Sequence, residues 1–390
     1  MNSQQLHQLS QQYRSELLDN VLPFWLNHSF DRECGGFFTC LNRDGSVYDT
    51  DKFIWLQGRQ VWLFAMLYNQ LEQKQEWLDA ALHGAEFMQR YARATDGSWY
   101  FSLTREGRPL IQPYNIFSDC FATQAFGQLY KATGEERYAQ IARTTFEGIL
   151  ARRTNPKGPW SKAVPDTRPL KNFALPMILC NLALEIEHLL EPAIVQSLTQ
   201  ACIHEIMDVF YHPESGLILE NVNPAGQFSD SFEGRTLNPG HAIEAMWFVM
   251  DLADKQGNPE LMQSAKQITL HTLEYAWDNR YEGIFYFMDL KGAPPQQLEW
   301  DQKLWWVHIE TLIALLKAYR HTGDERCSQW FEKVHTYTWS HFADPSYGEW
   351  FGYLNRQGEV LLPLKGGKWK GCYHVPRGLF QCWQTLEKLS

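Results

Sequence analysis

The stretch Cys34-Gly35-Gly36-Phe37 returns in altered form five more times, as Asp96-Gly97-Ser98-Trp99, Lys157-Gly158-Pro159-Trp160, Ser215-Gly216-Leu217, Glu282-Gly283-Ile284-Phe285 and Tyr347-Gly348-Glu349-Trp350. Taken from the glycines at 35, 97, 158, 216, 283 and 348, the intervals are 62, 61, 58, 67 and 65 residues. Such a period marks a repeat architecture, in which each unit covers the apolar face of its neighbour. Between the clusters lie stretches apolar at i, i+3, i+4 and i+7, the helical period. They run over 3–28, 54–72, 74–92, 118–133, 135–152, 172–189, 192–212, 240–256, 258–278, 304–322, 324–342 and 376–388, which makes twelve helices. Within a unit an apolar helix precedes a more mixed one, across breakers such as Ala132-Thr133-Gly134-Glu135 or His321-Thr322-Gly323-Asp324. The first kind is expected to line an inner ring and the second an outer ring. Hairpin signals such as Asn42-Arg43-Asp44-Gly45 and Asn355-Arg356-Gln357-Gly358 fall in the long loops after the outer helices. Six large loops on one face favour closure over an open solenoid. The expectation is therefore an all-α (α/α)6 barrel, one domain over 1–390, with a central pocket.

Composition narrows the function classes. The chain has 390 residues, 44% of them hydrophobic and 21% charged, enough to bury a sizeable core. Its longest apolar runs, Val61 to Leu67 and Ala174 to Leu184, fall far short of the ~18 residues a membrane helix needs. The Gln- and Ser-rich start, Met1 to Tyr13, has neither the basic nor the apolar part of a secretory signal, so a cytoplasmic location is expected. Eight scattered cysteines without C-x-x-C spacing read as reduced thiols. A formal charge of -10 and a pI near 5.7 argue against nucleic acid or anionic membrane as general partners. Aromatic residues reach 14%, with 16 tryptophans, which fits either an aromatic core or indole faces that stack sugar rings.

Polar residues fall at one phase of the repeat, near the start of each inner helix: Arg59, Asp119, Asn172, His241, Glu310 and His374. Symmetry would bring all six to one rim. Arg59 lies in Trp55-x-x-x-Arg59-x-x-Trp62, where i, i+4 and i+7 share a face; it is either a stem packed on indoles or a fixed charge for an oxyanion. His241 lies in Asn238-Pro-Gly-His-Ala-Ile-Glu244 at a helix start, either as a cap or core residue or as a catalytic base. Glu244, one turn on, is spaced to fix its tautomer. In Lys303-Leu-Trp-Trp306-Val-His308-Ile-Glu310 the last two polar residues cannot share a face, and Glu310 is taken as the one directed to the pocket. Trp369-Lys-Gly-Cys-Tyr-His374-Val-Pro-Arg377 completes the ring, with Pro376 suited to a first helical turn. Neither H-E-x-x-H nor zinc spacing occurs, so no metal is expected.

Together, and in this order, these four motifs resemble the N-acylglucosamine 2-epimerase family, over essentially the whole chain. The resemblance implies an (α/α)6 barrel, a homodimer, and interconversion of N-acetylglucosamine with N-acetylmannosamine without a redox cofactor. It implies His241 and His374 as the acid/base pair, with Arg59 and Glu310 completing the site; Trp55, Asn172, Glu244, Trp306 and Trp369 are the expected substrate contacts. Two imidazoles of ordinary pKa near ~6.5 suit proton removal and return at C2 of the open-chain sugar. Cellobiose 2-epimerases and aldose–ketose isomerases share the barrel and the two histidines, but the cellobiose branch looks to carry Asn-x-x-x-His in the third unit, where this chain has Asn172-Phe-Ala-Leu-Pro176. An (α/α)6 glycoside hydrolase, drawing two carboxylates from Asp119, Glu244 and Glu310, is the rival enzyme class, and a non-enzymatic helical binding protein, as the family's renin-binding name suggests, is the third reading.

One basic stretch stands apart in this acidic chain: Arg152-Arg153-Thr-Asn155-Pro-Lys157-Gly-Pro-Trp-Ser-Lys162, followed by Arg168 and Lys171. It does not match G-x-x-x-x-G-K-[ST], so phosphate hydrolysis is not expected. Several members of the resembled family are activated by ATP without consuming it. Arg153, Asn155, Lys157 and Lys162 are the place for such an effector, the alternative being a solvated loop.

Overall fold

The computed structural model describes residues 1–162, 164 and 167–390. Six inner helices follow one another around a ring: Ile54–Gln70, Phe117–Thr133, Ala174–Glu185, Pro239–Gln256, Trp305–Thr322 and His374–Leu389, each packed on the next. Their apolar residues are buried nearly all round, as the sequence runs demand. Outer helices Gln75–Tyr91, Glu136–Arg152, Pro192–His204, Pro259–Ala276 and Glu325–His341 each back the inner helix before them. The sixth inner helix finds its outer partner at the other end of the chain, on Ser3–Ser15, which runs on through the π-helical Glu16–Val21 into Leu22–His28. Tyr373, just before the sixth inner helix, packs on Trp62 of the first at 5.1 Å and closes the ring.

The helix boundaries move where strands compete for the ends. Asn172 pairs opposite Asn221 in a two-stranded ladder, so the third inner helix begins at Ala174 rather than at 172. Tyr211 and His212 form a strand with Leu217 and Ile218, which ends the outer helix after its π-helical Glu205–Val209. The last helix begins at His374, two residues before the expected start, with Pro376 still in its first turn. All six repeat glycines, at 35, 97, 158, 216, 283 and 348, have positive φ. That left-handed turn reverses the chain from outer helix to loop face, and a side chain there would be strained.

A clasp recurs on the loop face. An aspartate just past an outer helix takes a lysine from the strand or loop before the next inner helix and an arginine from the hairpin of another unit. Asp31 holds Lys52 at 2.8 Å and Arg105 at 2.9 Å; Asp278 holds Lys303 at 3.3 Å and Arg356 at 2.9 Å. Asp344 holds Lys365 at 2.8 Å and, across the junction of the last and first units, Arg43 at 2.7 Å. The aspartates and lysines are buried, so each charge relies on the others. Asp278 is held at about 2: burial works against its ionisation, and Arg356, backbone N–H groups and Lys303 overcome it. Asp344→Asn leaves the Lys365 ammonium buried without a counter-charge and should cost ~3–5 kcal/mol. Arg43→Ala, at a side chain 44% exposed, should cost much less, because water screens its charge. Urea denaturation of the two variants measures the contrast, and equal losses would refute it.

Candidate active site

The inner helices deliver their polar residues to the end where the loops gather, and the pattern of contacts is set by one cation. Arg377, one turn after His374 on the sixth inner helix, is buried, and its Nη2 donates to Glu244 Oε1 at 2.5 Å and Glu310 Oε1 at 2.6 Å. Its Nη1 donates to the Tyr373 hydroxyl at 3.0 Å. Glu310, with no exposure, also receives the Trp247 indole N–H on Oε2 at 2.9 Å and lies 2.7 Å from His374 Nδ1. Glu244, Glu310 and His374 have the spacing of a metal-binding group, and the Arg377 guanidinium already bridges its two carboxylates.

Glu244 therefore does not orient His241 as its spacing suggests, because the buried guanidinium draws its carboxylate away. His241 Nδ1 instead lies 3.1 Å from both oxygens of Glu220, a residue of the loop that follows Leu217–Ile218. Asn172 belongs to this arrangement as a brace rather than as a free pocket residue: its amide donates to the Glu220 carbonyl at 3.3 Å and to Asn221 Oδ1 at 3.1 Å. Trp306 packs against both imidazoles, with ring centroids 5.4 Å from His241 and 5.8 Å from His374. Gly240 makes this possible, since a Cβ there would lie 2.5 Å from the Trp306 ring. Asn238 caps the same helix start by accepting the His241 backbone N–H at 3.1 Å.

Both histidines depart from the ordinary value. Burial drags His374 well below it, helped by Arg59, Arg377 and His241 and opposed by Glu244. Burial also pulls on His241, but Glu220, by charge and hydrogen bond, with Glu244 added, carries it above the ordinary value. Arg59 lies on the faces of Trp55, Phe121 and Tyr373, its guanidinium carbon 4.4, 4.1 and 4.6 Å from the ring centres. It is buried, no carboxylate within ion-pair distance meets it among the described residues, and its Nε has no hydrogen-bond partner. Burial lowers it to about 10. Trp369, half exposed, meets Trp55 edge-on at 5.7 Å.

The remaining expected residues divide. His308 is a core residue, its Nδ1 2.7 Å from the Leu304 carbonyl and its Nε2 accepting the Ile284 N–H, and burial pushes it down to about 3. Asp119 is taken by Arg152, and burial still lifts it to about 6. Lys303 belongs to a clasp, and Lys370 pairs with buried Glu349. In the basic stretch Lys171 is paired with Glu205 and Arg168 lies near Glu233, whereas Arg153, Lys157 and Lys162 meet no carboxylate among the described residues, and the space around Gly158 is open. Sequence reasoning missed Glu220, for which no periodicity speaks, and gave Arg377 no role although it lies one helical turn from His374.

The ring of inner helices, backed by outer ones, is an (α/α)6 barrel. The chain belongs to the N-acylglucosamine 2-epimerase (GlcNAc 2-epimerase) family, whose model matches residues 36–377. It is 43% identical to the N-acylglucosamine 2-epimerase of Mus musculus over 380 residues, 95% of this chain and 90% of the mouse protein. It is 24% identical to the cellobiose 2-epimerase of Eubacterium cellulosolvens over 406 residues, 95% of this chain and 96% of that one. The structure of cellobiose 2-epimerase from Spirochaeta thermophila superposes with a TM-score of 0.85 at 20% identity, covering 99% of this chain and 98% of that one, and so shares the fold.

Replacing Arg377 with methionine strips the counter-charge from two buried glutamates. The variant should lose ~3–5 kcal/mol of stability, and its His374 should titrate closer to the ordinary histidine range, as NMR of labelled imidazoles would record. An unmoved His374 would contradict the charge balance.

Proposed function

We propose that this protein interconverts N-acetylglucosamine and N-acetylmannosamine by moving the C2 proton of the open-chain sugar, with His241 and His374 as acid and base. The observation that carries the reading is the pair of imidazoles whose Nδ1 atoms are each engaged by a glutamate. That leaves both Nε2 atoms for chemistry. The aldehyde acidifies the adjacent C–H; one imidazole takes the proton, an enolate forms, and the other returns a proton to the opposite face. Arg59, buried without a carboxylate, suits the enolate oxygen, and a donor so placed is worth ~3 kcal/mol in comparable oxyanion sites. Trp55, Trp306 and Trp369 offer ring faces to the sugar. The 43% identity to the mouse enzyme against 24% to a cellobiose 2-epimerase favours the N-acyl substrate.

In D2O, NMR of N-acetylglucosamine with the enzyme should show deuterium entering C2 together with the epimer. Product that keeps its C2 proton would end the proton-transfer reading. His241→Asn and His374→Asn should each abolish inversion, and Arg59→Met should lower kcat ~10²-fold.

The reading extends to a nucleotide effector at Arg153, Asn155, Lys157 and Lys162, supported by three cations that meet no carboxylate among the described residues of a chain of net charge -10. ATP at a hundredfold excess over its dissociation constant should stabilise the fold by ~2.7 kcal/mol without being hydrolysed. Lys162→Ala should shrink that thermal shift; an unchanged shift moves the effector elsewhere.

A further inference from the structure

We propose that Glu220 is a positioning residue that keeps His241 in the protonated form, so that in the free enzyme His241 stands ready as the acid and His374 as the base. The proposal rests on the epimerase reading above and adds to it a residue outside the motifs that define the family resemblance.

The two imidazoles have the same local arrangement with one difference. Each has a glutamate at Nδ1: Glu220 at 3.1 Å from His241, Glu310 at 2.7 Å from His374. Glu310 is already neutralised by Arg377, which also takes Glu244. Glu220 has no cationic partner but His241 among the described residues; its other contact is the neutral Asn172 amide, 3.4 Å from Oε1. A proton added to His241 therefore cancels a charge, and one added to buried His374 creates one. The whole cluster agrees: three carboxylates, at Glu220, Glu244 and Glu310, face two guanidiniums, at Arg59 and Arg377, so one proton on the histidine pair makes the site neutral.

The groups facing His241 are Glu220 from the loop, Glu244 on its own helix, His374 from the sixth inner helix and the Trp306 ring. Those facing His374 are Glu310, Glu244, Arg59, Arg377 and His241. In one direction of the reaction the C2 proton passes to His374 Nε2 as the C–H electron pair enters the enolate. The His241 Nε2 proton then closes C2 from the other side, leaving His241 neutral and His374 protonated until solvent resets them. The reverse reaction uses the second form, which Glu220 disfavours, so the enzyme must cross between the two forms in every cycle.

The test is Glu220→Gln, which keeps the shape and removes the charge, with Glu220→Asp as the conservative variant. In Glu220→Gln the alkaline limb of kcat/KM should move to lower pH by about one unit or more, with the acid limb in place. In D2O, deuterium exchange at C2 should outlast inversion, raising the exchange-to-inversion ratio at least ~10-fold, because His374 can remove and return a proton alone. Glu220→Asp should restore the limb. Wild-type limbs and an unchanged ratio in Glu220→Gln would overturn the proposal while leaving the epimerase reading intact; absence of C2 exchange in the unmodified enzyme would instead remove that reading. If Glu220→Gln fails to fold, histidine NMR of the unmodified enzyme decides: His241 must titrate above His374, and the opposite order refutes the proposal.

Discussion

A carboxylate cannot stay ionised inside a ring of aromatic side chains without a cation against it, and Glu310 has no exposure at all. Arg377 meets that requirement from the sixth inner helix while also reaching Glu244 on the fourth. One guanidinium thus ties three inner helices together at the level where the chemistry sits. Its removal is costly because the charges it balances cannot reach water. The same contact decides the character of both histidines, since it takes Glu244 away from His241 and leaves Glu310 a neutralised partner for His374.

The tryptophan count has a related explanation. Indole N–H groups of Trp25, Trp62, Trp247, Trp350 and Trp383 donate to Glu349, Glu185, Glu310, Glu16 and Glu387, at 2.5 to 2.9 Å. An indole fills volume like any core residue and brings one donor that a leucine lacks. Glu310 and Glu349 are buried and need such donors, so part of the aromatic excess serves packed acids as well as any sugar-facing surface. Trp306 has a further part, since its ring packs against both imidazoles.

How much of this was legible follows from which signals are periodic. The 3.6-residue pattern and the glycine clusters placed the twelve main helices and their rings, because burial and left-handed turns write themselves into local sequence. The common location of His241, Glu310 and His374 was legible because His241 and His374 stand in the first turn of their inner helices and Glu310 one turn further along its own, near one phase of the repeat. The partner of His241 was not. A spacing of three on a helix makes Glu244 geometrically available, but a stronger cation competes for it, and the winner, Glu220, comes from a loop with no period to betray it. Arg59 and Asp119 looked alike in phase, yet one lies among three rings without a counter-ion and the other is held by Arg152. Ends of helices were misjudged at 172 and 212, where two-residue strands take backbone groups the helix would have used.

The clasp between Arg43 and Asp344, and the packing of the helix that begins at Ser3 on the one that begins at His374, have a consequence for biosynthesis. Inner helices one to five can dock on their neighbours in the order they leave the ribosome, but the first outer helix meets its partners only late, Tyr13 on Phe331, His335 and Trp339 of the outer helix Glu325–His341 and then the helix that begins at His374. At roughly 5–20 residues per second the apolar face of Leu6, Tyr13 and Leu17 waits on the order of tens of seconds, exposed or covered by other means. Closure is then a long-range step joining the two ends of the chain, the kind that slows folding, and during translation the nascent chain is an open arc whose two raw edges match each other and those of any neighbouring copy.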